Sequence, residues 1–517
     1  MKFYRTDHWL PVCFFSVVLL TGIAVHGDYG VCWDDPTQHN LGLVTWDYIF
    51  GKSDALLSNE NCYINPIVAA VEVIPEKIFN PKGEALPNSM RHLSNFIICW
   101  AGLIIFYLLG LRLFIDYRFS LVVCLFFLLT PRLFAHCFYN SKDLPFLFLF
   151  VLSVYALIVW VQRPSWQAVV WIIICSGLLT ATRVAGVFFP VIVLAASAYM
   201  ALEKKLQWRE AKMIASYFLL FPLSVYAFFP SIWHDPIHKI AQVMALYSHH
   251  PYDVTTYFMG ETIHSLNTPW YYIPVWMAIT IPVAWWLFSL AGIILCVYKI
   301  LIKKNQLSVS WLVVILWLVV PLGSAMAFHV NTYEDGRHLY FVEPALLLIA
   351  VATLKKIYTT AFLSAIYAQI VKAITGALLI ATIICQCIFI VQSHPYQYAY
   401  FNLIGRKYAN DYFDKDYWGI SYRNALEFLV KYDHQDTINV QWKVDPCEWN
   451  LIWLRENDRR RLHVVPYEQC DYYITNFRSH KPSDASSEKI YEVKVQGATI
   501  MAVYKMHPPN ILFNVAP

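Results

Sequence analysis

The sequence predicts a polytopic α-helical membrane protein of about eleven transmembrane helices, ending in a small extracytoplasmic α/β domain. Three observations carry that prediction. Of 517 residues, 58% are hydrophobic and only 14% charged, against roughly 25% charged in a soluble globular chain, which leaves too little polar surface to cover several aqueous domains. Apolar runs long enough for a bilayer core of about 30 Å recur along most of the chain. Residues 393–517, by contrast, are polar and patterned like a soluble domain.

The apolar runs lie at 9–27, 93–115, 119–131, 144–162, 168–181, 184–201, 213–230, 270–298, 309–329, 338–354 and 373–392. Lys2 and Arg5 precede the first, but no small-x-small cleavage site follows it, so it reads as an uncleaved anchor. With the N-terminus inside, alternate loops carry Arg112 and Arg118, Arg163, Lys204 to Lys212, Lys303 and Lys304, and Lys355 and Lys356. This bias orients the chain. The opposite side begins with a 28–92 loop holding nine acids against Lys52, Lys77, Lys82 and Arg91. Two units follow: residues 1–392, transmembrane with long outer loops 28–92 and 231–269, and residues 393–517, outside.

In the outer unit a helix is expected at 421–432, a strand at 438–442, an amphipathic helix at 448–459, strands at 462–465 and 472–475, and a hairpin of 491–495 with 499–504 around Gln496-Gly497. The first outer loop contains an amphipathic stretch from Ile64 to Ile78, suited to a helix on the membrane surface. Cys32 with Cys62 and Cys447 with Cys470 are candidate disulfides; free thiols are the equal alternative. No Asn-x-Ser/Thr sequon occurs on the outer side, which favours a bacterial inner membrane with the outer face periplasmic. A net charge of +4 with scattered basic residues excludes nucleic acid as a partner.

Chemistry-bearing residues gather at the outer face. Gly30-Val31-Cys32-Trp33-Asp34-Asp35-Pro36 puts two adjacent carboxylates beside the membrane, where like charge and low dielectric raise a pKa and suit a general base. The structural alternative is Asp35 capping a helix with Pro36 in its first turn. Both hold if Asp35 caps and Asp34 stays free. Arg337, in Glu334-Asp335-Gly336-Arg337-His338, is either a snorkelling anchor or a bidentate phosphate ligand. Arg132, Lys142 and Arg183 add cations on the same side. His234 and His238 stand four apart in a loop that also holds His249, His250 and His264, yet no HExxH pattern accompanies them. The expectation is therefore no cofactor, with a divalent metal the alternative. Trp270-Tyr271-Tyr272, Tyr396 to Phe401 and Tyr417-Trp418 read as interfacial aromatic belts.

The acid pair after the first span, the long first and fourth outer loops and Arg337 heading a late helix together resemble the GT-C superfamily of polyprenyl-phosphate-sugar-dependent glycosyltransferases. The nearest resemblance is to its bacterial members related to protein O-mannosyltransferases and to the lipid A aminoarabinose transferase. Trp33-Asp34-Asp35-Pro36 is similar to the family's Asp-Asp or Asp-Glu signature. Arg337-His338 to Pro344 is similar to its Arg-Tyr-x-x-x-Pro helix entry, with His in place of the aromatic and Pro displaced. The resemblance implies Asp34 as catalytic base with Asp35 its partner, and Arg337 with His338 on the donor's phosphate, helped by Lys142, Arg132 or Arg183. It implies a polyprenyl-phosphate sugar as donor, a glycan, lipid or protein hydroxyl as acceptor, and inversion at the sugar. A transporter or flippase of lipid-linked or small polar substrates is the rival reading, and a ligand-binding outer domain on a mere anchor is a third. A transporter needs polar residues deep in the bundle and an inverted repeat.

Overall fold

A computed structural model describes residues 9–79, 88–248, 253–302, 307–360, 365–478 and 488–506. Lys2, Arg5, Lys82, Glu84, His249, His250, Lys303 and Lys304 lie outside the described residues.

The chain opens with α1 (Trp9–Val25), then a cap of α2 (Asp35–Ile49), α3 (Pro66–Glu72) and α4 (Ile74–Phe79). The helical body continues with α5 (Asn88–Phe114), α6 (Tyr117–Leu128), α7 (Pro131–Tyr139), α8 (Asp143–Gln162), α9 (Trp166–Thr182), α10 (Phe188–Leu202) and α11 (Trp208–Phe228). A second outer excursion holds α12 (Pro236–Ser248) and the hairpin β1 (Thr255–Phe258) and β2 (Glu261–His264). Then come α13 (Tyr272–Thr280), α14 (Val283–Leu301), α15 (Val309–Ala327), α16 (Glu343–Thr359) and α17 (Ala365–Gln392).

Eight helical stretches among the described residues are long and apolar enough to cross a membrane, and α6 with α7 makes a ninth if counted as one bent span. The apolar helices α1 and α9 are 17 residues each. Each of the eleven predicted segments thus falls on an apolar helix, and the chain is an integral multi-pass membrane protein.

Two segments are broken where one helix was expected, and proline is the cause both times. The residue before a proline is pushed out of the helical region. Thr130 is extended before Pro131, so α6 and α7 meet at 74°. Ile281 is extended before Pro282, which leaves α13 as a short buried helix and α14 as the crossing. The C-terminal end of α5 holds its neighbours: Gln162 of α8 donates to the Arg112 carbonyl at 3.1 Å and Lys355 of α16 donates to that of Phe114.

After α17 the chain returns over one end of the bundle. Asn402 donates to the carbonyls of Ala278 and Ile281. Tyr417 and Trp418 are buried against α7, so these are core residues rather than the interfacial belt the sequence suggested. Past α18 (Ala409–Tyr412), α19 (Tyr422–Tyr432) lays Leu426 and Leu429 on a five-stranded sheet. The sheet contains β3 (Ile438–Trp442), β4 (Leu462–Val464), β5 (Tyr472–Thr475), β6 (Glu488–Val495) and β7 (Ala498–Lys505), ordered β4-β3-β5-β7-β6. β3 runs parallel to β4 and β5, and β7 antiparallel to β5 and β6. The expected 448–459 helix is instead α20 (Pro446–Trp449), a 3-10 turn and α21 (Glu456–Arg461), interrupted where Leu454 and Arg455 are extended. All twelve cysteines are free thiols; Cys32 Sγ faces the Tyr139 carbonyl at 3.7 Å.

Candidate active site

Four segments far apart in sequence converge at that end of the bundle, 30–35, 140–143, 183 and 333–337, and 478 joins them. Local chemistry explains each. Gly30 is passed so closely by the C-terminal unit that a Cβ there would sit 2.3 Å from the Ile420 carbonyl oxygen and 2.6 Å from Asn450 Oδ1. Asn450 in turn brackets Val31, accepting from its N–H and donating to its carbonyl, both at 2.9 Å. These contacts fix the backbone just before the acid pair.

Asp35 does not cap a helix. α2 begins at Asp35 with Pro36 in its first turn, and Asp34 stands at the cap position without a side-chain cap bond. The Asp35 carboxylate turns back instead, accepting from the Cys32 N–H at 3.0 Å, with His92 Nε2 at 3.3 Å and Arg91 Nη1 at 3.5 Å. Burial pushes its pKa up, but His92 and Arg91 prevail and hold it below the usual carboxylate range. The buried guanidinium and imidazole of α5 outcompete one capping bond because charge-assisted contacts are the stronger kind.

Asp34 faces the other way. Its Oδ1 lies 2.8 Å from Lys142 Nζ and its Oδ2 3.1 Å from Arg337 Nη1. The sequence expected partial desolvation to raise its pKa. Burial does act in that direction, but Lys142 and Arg337 more than offset it and hold the group at about 2.

Arg337 is the hub. Besides Asp34 it meets Asp143 Oδ2 at 2.9 Å and Glu334 Oε2 at 2.9 Å, and its guanidinium lies 4.5 Å from the Trp418 ring centroid. Asp143 also pairs with Arg183, and Asn140 accepts from the Asp143 N–H while donating to its carboxylate. Of the three carboxylates on Arg337, the Asp34 side chain is 14% exposed, Asp143 2% and Glu334 7%. Asp34 is therefore the most open of the three.

Glu334, Asp335 and Gly336 are three consecutive residues with φ of 50°, 58° and 73°. Glycine adopts that region freely, whereas two carboxylate residues there store strain of the kind found at functional sites. The run sends the neighbouring acids into different networks. Glu334 joins Arg337, while Asp335 accepts from Tyr340 at 2.5 Å and Tyr417 at 2.8 Å and pairs with Arg132. Arg132 also donates to the Tyr400 carbonyl and lies over Trp276 and Phe401. It is thus a buried brace, away from Asp34, whereas Lys142 and Arg183 belong to the Arg337 cluster. His338 packs edge-on against Tyr333, 4.7 Å between centroids.

Sequence reading did not single out Asp143, Glu334, Arg91, His92 or Arg478. Asp143 directly follows Lys142 and Glu334 lies three residues before Arg337, and the signal for them was the need of each buried cation for a counter-charge. In the 231–269 loop, His238 pairs with Asp235 at the surface and His264 with Asp253. No group of three His, Cys, Asp or Glu that could hold a metal occurs among the described residues.

No family model and no curated protein matches the sequence. Solved structures do match in fold. ArnT from Cupriavidus metallidurans, in the apo state, superposes with a TM-score of 0.52 at 12% identity over 96% of this chain and 98% of that one. The same protein bound to undecaprenyl phosphate gives 0.51 over the same shares. The Archaeoglobus fulgidus oligosaccharyltransferase gives 0.51 at 13% identity, over 90% of this chain and 66% of that chain. The chain shares the fold of these solved structures.

Proposed function

We propose that this protein transfers a sugar from a polyprenyl-phosphate donor to a hydroxyl acceptor at the outer face of a bacterial inner membrane, with inversion at the sugar's anomeric carbon. One observation carries the reading: a partly exposed carboxylate, Asp34, shares two cations, Lys142 and Arg337, at the mouth of a GT-C fold. One neighbour in that fold was solved with undecaprenyl phosphate bound, which supports a lipid phosphate as the group those cations take.

In the proposed reaction the donor phosphate takes Arg337 and Lys142, with Arg183 behind them. Asp34 removes the proton from the acceptor hydroxyl as its oxygen bonds to C1. The bond from C1 to the phosphate oxygen breaks, and the electron pair leaves on the phosphate, where the cations stabilise it. A phosphate leaves well without protonation, so no second carboxylic acid is needed, in contrast to a glycosidase. A carboxylate held at about 2 is a feeble base. Engaging Lys142 and Arg337 with phosphate removes that restraint, so Asp34 gains basicity once the donor is bound. A single displacement inverts C1.

The test is to incubate the purified protein with a panel of radiolabelled polyprenyl-phosphate sugars and candidate acceptors. Label should leave the lipid, and polyprenyl phosphate should accumulate, only with Asp34 intact. If no donor is consumed while the protein moves a lipid-linked sugar across a vesicle membrane, the transporter reading replaces this one.

A further inference from the structure

The C-terminal unit places one side chain against the reaction centre. Arg478 follows the end of β5, and Phe477 before it is buried with φ 55°. A bulky residue in the left-handed region is a local strain that the surrounding structure must hold in place. Arg478 Nη2 lies 2.6 Å from Glu334 Oε1, the same carboxylate whose other oxygen holds Arg337. Its guanidinium also sits 4.7 Å from the ring centroid of Trp33, the residue immediately before Asp34. Trp449 of the same unit also packs edge-on against that indole, 5.6 Å between centroids. One side chain from the outer unit thus grips the neighbours of both Asp34 and Arg337.

We infer that the C-terminal unit takes part in the transfer through Arg478, a positioning residue that orients Arg337 by way of Glu334 and holds Trp33 beside Asp34. The inference rests on the glycosyltransferase reading above. A guanidinium is suited to the task because one planar group can both bond a carboxylate and stack on an indole. Losing it lets Glu334 rotate and loosens the Arg337 fork, so lipid-phosphate binding and turnover both suffer.

The experiment uses the full-length protein in detergent, with undecaprenyl phosphate as the binding probe and donor turnover as the second readout. Arg478→Ala should weaken undecaprenyl phosphate binding and raise the donor KM about tenfold, with a fall in kcat, and Arg478→Lys should recover most of the binding. Arg423→Ala is the comparison, because Arg423 docks the same unit onto the Gly27 and Tyr29 carbonyls without touching Asp34, Arg337 or Glu334. It should lower the unfolding temperature while leaving the donor KM within about twofold. Should Arg478→Ala fail to fold, Arg478→Gln keeps a hydrogen bond to Glu334 without the charge and should still raise KM about threefold. Wild-type KM and kcat in folded Ala or Gln variants overturn the proposal. So does an Arg423→Ala defect in KM as large as that of Arg478→Ala, which would reduce Arg478 to a docking contact. A wild-type protein that neither binds undecaprenyl phosphate nor consumes any donor overturns the glycosyltransferase reading itself.

Discussion

Replacing Asp34 by Asn should separate binding from chemistry, because the carboxylate and the donor phosphate compete for the same cations. Asp34 is held at about 2 against an ordinary 3.8, which corresponds to about 2.5 kcal/mol in favour of its ionised form, net of desolvation, at roughly 1.4 kcal/mol per pKa unit. A phosphate displacing the carboxylate from both cations forfeits that stabilisation. Removing the carboxylate's charge should therefore tighten binding by up to about sixtyfold. Partial exposure of Asp34 and continued competition from Asp143 and Glu334 cut the expected gain to about three- to tenfold. Transfer should fall by about 10² to 10⁴, the usual contribution of a positioned base. Tryptophan fluorescence with undecaprenyl phosphate in detergent reads the binding, and label release from the lipid reads the transfer. The pH sign follows from the lowered pKa. The ion pairs are fully present above about 4 and are lost as pH falls toward 2, so the wild-type and Asn proteins should differ by a constant factor in affinity from pH 6 to 8. Weaker binding in Asp34→Asn would refute the competition, and undiminished transfer would remove Asp34 as the base.

Four further outcomes are expected. Arg337→Ala should nearly abolish donor use and strand three buried or part-buried carboxylates, costing roughly 3 kcal/mol or more of stability; Arg337→Lys should fold but bind donor poorly, read as KM and unfolding temperature. Asp35→Asn should lower the unfolding temperature as well as the rate, because Arg91 and His92 lose their buried counter-charge, whereas equal stability would show that pair to be dispensable. Glu72 is buried in the cap 3.7 Å from Arg91, and desolvation pushes its pKa up to about 8. Stability should therefore decline as pH rises from about 4.5 through 8, and Glu72→Gln should flatten that decline in thermal unfolding profiles. Reporter fusions after Lys205 and after Tyr432 should report opposite compartments, and identical signals would break the orientation read from the Lys/Arg loops.

The apolar helices were legible because hydropathy over about 20 residues is a local property. Their breaks at Thr130-Pro131 and Ile281-Pro282 were equally local, but a sliding apolar window passes over a single proline. The site was half legible. Asp34, Lys142, Arg183 and Arg337 stood out as charges beside membrane segments, and the structure brings all four into one cluster. What sequence could not supply was the sorting of neighbours. Asp34 and Asp35 turn to opposite partners because α5 offers Arg91 and His92 to one of them, and Glu334 and Asp335 part because of backbone handedness. Arg132 resembled Lys142 in every sequence property and differs only in facing Asp335. Arg478 carried no signal beyond its place after a strand, since its partners lie in another unit of the chain.

The contacts of Trp33, Asn450 and Arg478 also bear on how the protein is made. Residues 31 and 450 are 419 positions apart, and Asp34 and Arg337 are 303 apart. A ribosome-bound chain inserting helix by helix exposes the Asp34 segment early, then Arg337 only after most spans are in the bilayer, and Arg478 later still. Each arriving cation finds an acid already waiting, so assembly of the charge cluster runs with synthesis rather than after it. A nascent chain halted before the outer sheet forms would have the acid and its first cations without Arg478 bracing Glu334 and Trp33. Truncation products lacking that sheet should therefore accumulate as inserted but inactive membrane proteins, a point for quality-control proteases to act on.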